Sequence, residues 1–181
     1  MCGDTSDDER RREQALVLRA VQDADGAAFE LLVAPYVARI QRYLASLVRQ
    51  PADADDLTQD VLMQAWRQLH KFDGSGRFRG WIFAIAHRAF LQHARGKRRY
   101  WRALTGLRAE PVAQAVADNA AVAELDIHTL LSSLDADSRA VILLSRGMGL
   151  THGEIAQATG KPLGTVKSLV SRATRRLVHE Q

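Results

Sequence analysis

Apolar residues recur at steps of three and four along most of the chain, and this period predicts helices. The first helix is expected to begin after Asp25, a favourable N-terminal cap, and to run to about Arg49. Its apolar side comprises Phe29, Leu32, Val33, Tyr36, Ile40, Tyr43, Leu44 and Leu47. Pro35 lies within this pattern and predicts a kink or a break. Because no segment alternates convincingly, the sequence predicts an all-α fold.

Two more amphipathic helices are predicted to complete an N-terminal bundle. One begins at Asp53, and its apolar positions are Leu57, Val61, Leu62, Ala65, Trp66 and Leu69. Trp66 is expected to lie in the core. The other extends from about Arg79 to Arg95, and its core positions are Trp81, Ile82, Ile85 and Ala89. A glycine-bearing loop, residues 71–78, connects the two. Residues 1–14 are polar and are expected to be disordered.

The composition changes after the bundle. Residues 100–121 are rich in alanine, are interrupted by Gly106 and Pro111 and show no strong amphipathic period, which indicates a flexible linker. Two helices are predicted beyond it, at about 122–133 and 136–146. The chain is therefore divided into an N-terminal extension (1–24), a first helical domain (25–99), a linker (100–121) and a second helical domain (122–181).

The second domain carries the pattern of a helix-turn-helix. Thr151 and Glu154 have the spacing of a capping box, in which each side chain satisfies the other residue's backbone N–H. Gly160 lies at the turn, where a positive φ avoids the steric cost of a Cβ atom. A last helix is predicted over about 164–178, with Val166 filling the angle between the two helices. In this motif the second helix normally enters the DNA major groove.

The last helix has two distinct faces. Its buried stripe consists of Val166, Val170, Ala173 and Leu177. Its opposite side consists of Thr165, Lys167, Ser168, Ser171, Arg172 and Arg175. Lysine and arginine favour phosphate binding through counterion release, and serine or arginine can bind base edges. The alternative is a helical hairpin with a solvated basic face, which the capping box and the Ala/Gly/Val spacing disfavour.

Charge is segregated along the chain, although the formal net charge is only +4. Residues 53–60 contain four aspartates and no basic residue, whereas residues 74–109 contain nine Arg/Lys residues and no acidic one. The basic run 95–102 also includes Tyr100 and Trp101, and aromatic rings can stack on unpaired bases. Separate partners for the acidic and basic faces are indicated. For any single block, a solvated helix face is the alternative.

Several classes of protein are disfavoured. No apolar run approaches the ~20 residues that span a bilayer, and the charged N-terminus differs from a secretory signal, so we expect a cytoplasmic protein without membrane insertion. Cys2 is the sole cysteine, which precludes a disulfide within the chain. The histidines show no metal-ligand spacing beyond weak pairs, and neither a phosphate loop nor a nucleophile–base set is evident. We therefore expect no cofactor, no metal and no enzymatic activity.

Two separate blocks of sequence resemble the extracytoplasmic-function (ECF) sigma factors of the sigma-70 family. The sequence resembles the sigma-2 domain at residues 53–62, at Trp66, at residues 78–86 and in the basic run. It resembles the sigma-4 domain at residues 134–135, 154–156, 164–168 and 172–173. Their order and spacing, and the total length, are those of this group. The resemblance implies a transcription-initiation factor that carries RNA polymerase to promoters and helps to melt the −10 element.

The resemblance also implies partners for each face. The helix that begins at Asp53 would dock on the clamp helices of the polymerase β′ subunit, through Asp55, Asp56, Gln59 and Asp60. The −10 element would be contacted as single-stranded DNA by Phe72, Asp73, Ser75, Arg77, Arg88, Arg95, Lys97, Arg98 and Arg99. The −35 element would be read as duplex DNA by Thr165, Lys167, Ser168, Ser171, Arg172 and Arg175. Contact with the polymerase β flap and control by an anti-sigma factor are further implications.

Three positions depart from the family pattern. Arg88 and Gln92 occupy positions where Asn and Asp are usual, which leaves the −10 base preference open. Leu169 occupies a position where Arg is common, so a −35 contact is lost or is supplied by Arg172. A stand-alone helix-turn-helix regulator is the alternative function. The acidic residues 53–60 and the lack of an obvious dimerisation helix disfavour it.

Overall fold

The computed structural model describes residues 4–74, 77–105, 131 and 133–179. Every regular element within these ranges is helical, which confirms the prediction of an all-α fold. The α-helices are α1 (Asp4–Gln22), α2 (Gly26–Ala45), α3 (Pro51–Gln68), α4 (Phe78–Thr105), α5 (Ala136–Ile142), α6 (His152–Thr159) and α7 (Leu163–His179). Most of the predicted linker and most of the helix predicted at 122–133 lie outside the described residues.

The N-terminal segment differs from its prediction. Disorder is expected over residues 1–14, but α1 begins at Asp4 and packs along α2. Ala20 of α1 is buried, and the Tyr36 hydroxyl of α2 donates a hydrogen bond of 2.7 Å to the Glu13 carboxylate. Leu16, Val17 and Ala20 of α1 pack against the core, whereas the prediction of disorder rested on the polar residues that precede them.

Helix α2 is continuous through Pro35, so the chain does not break there, the second of the two alternatives predicted for this proline. Asp25 caps the helix as predicted, since its carboxylate accepts a hydrogen bond of 3.0 Å from the Ala28 backbone N–H. Proline leaves the carbonyl of Leu31 without its helical donor, but Leu31 is on an exposed side of the helix, where water can hydrogen-bond. The helix ends at Ala45, before the predicted boundary.

Helix α4 is longer than predicted. It continues to Thr105, into the segment predicted as a linker, and presents the basic run 95–102 on a helix. At its N-terminal end, Phe78 is fully buried at the centre of an aromatic cluster. The ring centroid of Phe78 lies 5.4 Å from Trp81, 5.6 Å from Phe72 and 5.7 Å from Tyr36. This cluster attaches α4 and the preceding loop to α2.

The C-terminal domain folds as the predicted helix-turn-helix. The Thr151 backbone N–H donates to the Glu154 carboxylate at 2.7 Å, and the Thr151 hydroxyl accepts from the Glu154 N–H at 3.2 Å. Gly160 ends α6 in the left-handed region, with φ of 69°. Val166 is fully buried between α6 and α7. The helix predicted over 136–146 is instead divided into α5 and a π-helical turn, Leu143–Gly147.

The two domains contact each other, a feature that the predicted linker gave no reason to expect. Helix α4 packs on α6, and Gly80 permits the close approach, because an added Cβ atom would lie 3.2 Å from Cγ of Glu154. Nη2 of Arg79 lies 3.5 Å from the Glu154 carboxylate. Nη2 of Arg39 donates to the Met148 carbonyl at 2.8 Å. The buried side chains of both domains form one continuous apolar cluster.

Candidate polymerase and nucleic-acid interfaces

Helix α3 places the four predicted polymerase contacts on its solvent side. Asp55, Asp56, Gln59 and Asp60 are all exposed, and the steps of one and four residues keep them together. The Asp55 carboxylate accepts a hydrogen bond of 2.7 Å from Gln41 of α2. Asp53 is not part of this group, because it faces α4. The result is an acidic surface on α3, and the segment 53–60 that contains it includes no basic residue.

Two large apolar side chains extend this acidic surface by one helical turn. Met63 follows Gln59 by four residues and is 49% exposed. Trp66 is 39% exposed, so its assignment to the core is wrong. Its ring contacts Phe29 of α2 edge-on, with 5.1 Å between ring centroids. Exposed apolar surface beside charged residues is typical of protein-binding sites, and the four-residue step from Gln59 was the available sequence signal.

The loop before α4 is held by the aromatic cluster. Phe72, a predicted −10 contact, is half-buried and packs edge-on against Phe78. Asp73 and Arg77 are exposed on either side of the loop. Ser75 lies outside the described residues. Phe72 therefore has a packing role that is sufficient to explain its aromatic side chain.

Helix α4 carries a basic stripe along its solvent side. Arg88, Arg95 and Arg99 follow one another at steps of seven and four residues, all are exposed, and Arg98 lies beside them. Nε of Arg88 donates to the Ala84 carbonyl at 3.1 Å, one turn back on the same helix. The guanidinium groups thus form a continuous positive surface of the kind that binds a phosphate backbone.

Lys97 is separated from this stripe. Its Nζ atom lies 2.5 Å from the Asp53 carboxylate of α3, and Nε2 of His93 lies 3.6 Å from the same oxygen. Lys97 was predicted to contact −10 DNA together with its arginine neighbours. The ion pair points this lysine toward α3 and neutralises its charge, so the structure does not bring it together with the stripe.

Helix α7 presents all six predicted −35 contacts to solvent. Each of them is exposed, as the two-faced pattern predicted: Thr165, Lys167, Ser168, Ser171, Arg172 and Arg175. The Ser168 hydroxyl donates to the Thr165 carbonyl at 2.9 Å. Leu169, in contrast, is 5% exposed and lies in the core. The Leu169 side chain therefore faces away from the side of α7 that carries the predicted −35 contacts.

Arg172 also acts on the cap of α5. Burial raises the pKa of Asp135, but hydrogen bonds from Ser138 and the positive charge of Arg172 outweigh it, so the pKa is lowered. Asp135 accepts from the Ser138 N–H at 2.9 Å. The carboxylate therefore stays ionised near Arg172.

No other chemistry is evident in the part of the chain that the structure describes. No three His, Cys, Asp or Glu side chains among these residues come close enough together to hold a metal ion. None of the described helices is both long and apolar enough to span a bilayer.

Comparison with known proteins assigns the chain to a family. The family model Sigma-70 region 2 matches residues 32–100, and the model Sigma-70, region 4 matches residues 124–177. The chain is 30% identical to the probable RNA polymerase sigma-C factor of Mycobacterium bovis, over 96% of this chain and 92% of the relative. It is also 30% identical to the ECF RNA polymerase sigma factor RpoE of Cereibacter sphaeroides, over 95% and 97%.

Two solved structures have a similar fold. The sigma factor RpoE of Bartonella quintana, in complex with the anti-sigma factor NepR, has a TM-score of 0.70 and 30% identity, with 82% of this chain and 93% of that chain covered. CnrH, in complex with the cytosolic domain of CnrY, has a TM-score of 0.67 and 26% identity, with 93% and 96% covered. The domain matches, the relatives and the shared fold agree, and the chain belongs to the ECF sigma factors of the sigma-70 family.

Proposed function

We propose that this sigma factor binds core RNA polymerase through the exposed side of α3 and promoter DNA through α4 and α7. The observation that supports the division of roles is the segregation of charge on exposed helix faces. Carboxylates repel a phosphate backbone, so the side of α3 suits a protein partner, namely the polymerase β′ clamp helices. Met63 and Trp66 add apolar surface to the same docking face, where anchoring side chains of this size contribute most to affinity.

The two basic surfaces suit different forms of DNA. The arginine stripe of α4 and the loop before it provide phosphate contacts for the −10 element, opened as single-stranded DNA. Helix α7 fits a major groove and provides Arg172 and Arg175 for base edges or phosphates of the −35 element. We assign no catalytic step to the chain. We place its action in the cytoplasm, with the polymerase.

Promoter binding requires the two domains to separate. The −35 and −10 elements are 25 positions apart, and at ~3.4 Å per base step this corresponds to roughly 85 Å. Helices α4 and α6 are in direct contact here, so one rigid unit could not reach both elements. The side chains of Arg79 and Glu154 are only 20% and 15% exposed in the closed form, and opening returns both charges to water, which offsets the loss of their 3.5 Å contact.

We further propose that the closed arrangement is the form that an anti-sigma factor holds. One superposition on RpoE bound to NepR covers 82% of this chain, which exceeds the share of either domain alone. A partner that binds both domains at once would keep them together and prevent the separation that a promoter demands.

The experiment is run-off transcription with core polymerase on genomic fragments, together with a measurement of the affinity for core enzyme. Asp56→Arg reverses a charge at the centre of the proposed docking face and should weaken binding to core polymerase by about tenfold or more. Asp23→Arg is the matched control, because Asp23 is exposed but lies outside α3. Circular dichroism checks that both variants remain helical.

Equal affinity of the two variants for core polymerase would contradict the docking face. A failure to initiate at any promoter of the host genome, while a control sigma factor succeeds, would overturn the function. Tight and specific duplex binding without polymerase would instead indicate a stand-alone helix-turn-helix regulator.

A further inference from the structure

A cleft on the N-terminal domain is lined mainly by arginines. It lies between α1, α2 and the beginning of α4, and its volume is about 360 Å³. The side chains that matter here are Arg10, Arg12, Tyr36, Arg39, Arg77 and Arg79. None of the three elements is basic along its whole length, so the fold concentrates these guanidinium groups in one concavity.

The positive charge of the cleft is only partly neutralised. Its lining includes five arginines and one carboxylate, Glu13, which already accepts the Tyr36 hydroxyl. Arg77 takes part in a further contact, and Arg79 lies near Glu154, so the positive charge that matters here is that of Arg10, Arg12 and Arg39. Among the side chains that the structure describes, which do not include those of residues 4–7 and 9, no carboxylate lies within ion-pair distance of Arg10, Arg12 or Arg39. Like charges held around a concave surface raise the local potential and attract an anion. Guanidinium groups in particular match the geometry of phosphate oxygens.

The walls of the cleft are apolar. Leu16 of α1 and Leu31, Leu32 and Pro35 of α2 lie beside the arginines. A site with charged groups on one side and aliphatic carbons on the other fits a ligand that carries both phosphate and a flat, weakly polar part. Nucleotides have this chemistry, either free or linked in a single strand of DNA.

Two of these arginines also hold the C-terminal domain. Arg39 donates to the backbone carbonyl of Met148, and Arg79 pairs with Glu154 at the rather long distance of 3.5 Å. Nε of Arg79 is buried and has no partner among the described residues. A phosphate oxygen is a stronger acceptor for a guanidinium group than a neutral carbonyl is. An anion in the cleft would therefore compete with the C-terminal domain for both side chains.

We propose that this cleft binds the phosphate groups of a nucleotide and that its occupation favours separation of the two domains. Arg10 and Arg12 would attract and hold the ligand, while Arg39 and Arg79 would exchange their partners in the C-terminal domain for phosphate oxygens. In the closed form Arg39 and Arg79 contact Met148 and Glu154, whereas in the open form they are available to the phosphate. The ligand therefore binds the open form more tightly, and this difference in affinity shifts the equilibrium toward separated domains.

Isothermal titration calorimetry on the full chain at low ionic strength tests the site, with ATP, inorganic triphosphate and a short single-stranded oligothymidylate as probes. Arg12→Ala should weaken binding of the best probe by roughly tenfold, because a charge-assisted hydrogen bond is lost. Arg11→Ala is the matched control. It removes the same charge from the same helix, but Arg11 faces Asp8 at 3.8 Å and does not line the cleft.

The choice of probe distinguishes the sources of phosphate. Tighter binding of ATP than of the oligothymidylate supports a free nucleotide, and the reverse order supports a DNA strand. Binding of all three with affinities that follow charge alone, and equal losses in the Arg11 and Arg12 variants, would show that only the general basic surface is involved. That outcome, or no binding at all, overturns the site.

Small-angle X-ray scattering tests the coupling. The radius of gyration of the wild-type chain should increase when the best probe saturates it, and Arg12→Ala should need a proportionately higher concentration for the same increase. Binding that depends on Arg12 but leaves the radius of gyration unchanged would overturn the competition for Arg39 and Arg79. The measurement needs no polymerase, so its failure would not affect the proposed function.

Discussion

The two domains are stabilised by different means. The N-terminal domain buries large aromatic side chains, with Phe78 and Phe83 completely enclosed. The described part of the C-terminal domain contains no aromatic residue, and its core consists of aliphatic side chains and Met148. A small aliphatic core provides less apolar burial, so caps and turns carry a larger share of the stability. A single change at a cap or turn should therefore remove a larger fraction of the stability of the C-terminal domain than of the N-terminal domain.

The same difference explains why the domains dock. Helix α6 is only eight residues long and covers its apolar side partly with α4 of the other domain. Polar groups are present near this contact, among them Glu154, which takes part in the capping box and also faces Arg79. An interface that contains an ion pair and a capping residue is easier to open than a purely apolar one. Local stability and domain opening are thus linked through α6.

The largest effect is expected from Phe78→Ala in the aromatic cluster. Loss of a completely buried ring leaves a cavity between α2 and α4 and should cost about 3–5 kcal/mol of unfolding free energy. Urea denaturation followed by tryptophan fluorescence measures it, because all three tryptophans precede residue 105. Phe29→Ala is the control, since Phe29 is only half-buried at the edge of the domain. Equal losses in the two variants would contradict a central role of the cluster.

A somewhat smaller effect is expected from pH, through His87. Burial lowers the pKa of this histidine to about 4. The negative charge of Asp137 raises the pKa slightly, and the positive charge of Lys161 lowers it slightly. The unfolded chain takes up a proton near pH 6.5 and the folded chain only near pH 4, so stability falls as the pH drops through this window. The full loss amounts to about 3 kcal/mol.

Urea denaturation at several pH values between these limits measures the loss. His87→Gln keeps a polar partner near the Tyr43 hydroxyl, which lies 2.8 Å from Nδ1 of His87, but it cannot titrate. This variant should flatten the dependence on pH. An unchanged slope would show that other groups are responsible.

Next in size is Gly160→Ala, which tests the turn of the C-terminal domain. With φ at 69°, a Cβ atom costs roughly 1–2 kcal/mol in this left-handed conformation, although open space surrounds it. Gly164→Ala is the matched control, because Gly164 lies within α7 without a positive φ and also faces open space. That substitution should stabilise the helix by up to about 1 kcal/mol. Effects of the same sign in both variants would contradict the assigned turn.

Local signals in the sequence predicted local structure well. The capping box of Thr151 and Glu154, the turn at Gly160 and the Asp25 cap are set by neighbours along the chain, and the structure confirms each of them. The same holds for the two faces of α7, where a regular period separates buried from exposed positions. A short-range hydrogen bond or a required φ depends little on the rest of the fold.

Features that depend on distant contacts were missed. Helix α1 forms against α2, and Trp66 is 39% exposed although its ring contacts Phe29. Lys97 is turned away from its basic neighbours by Asp53, which is 44 residues earlier in the chain. The docking of α6 on α4 depends on the absence of a side chain at Gly80. The periodicity of apolar residues along the sequence does not indicate any of these contacts.

The smallest effect concerns the cap of α6, through Thr151→Ala. Loss of the hydroxyl that accepts the Glu154 N–H should cost about 1 kcal/mol, whereas Thr151→Ser keeps the acceptor and should cost much less. Thermal denaturation followed by far-ultraviolet circular dichroism measures both. The Glu154 carboxylate accepts a hydrogen bond from Thr151 and also faces Arg79. A double-mutant cycle of Thr151→Ala and Arg79→Gln should therefore show a coupling energy of about 0.5 kcal/mol or more. Strictly additive effects would mean that the cap and the domain contact are independent, and opening of the domains would then leave the helix-turn-helix undisturbed.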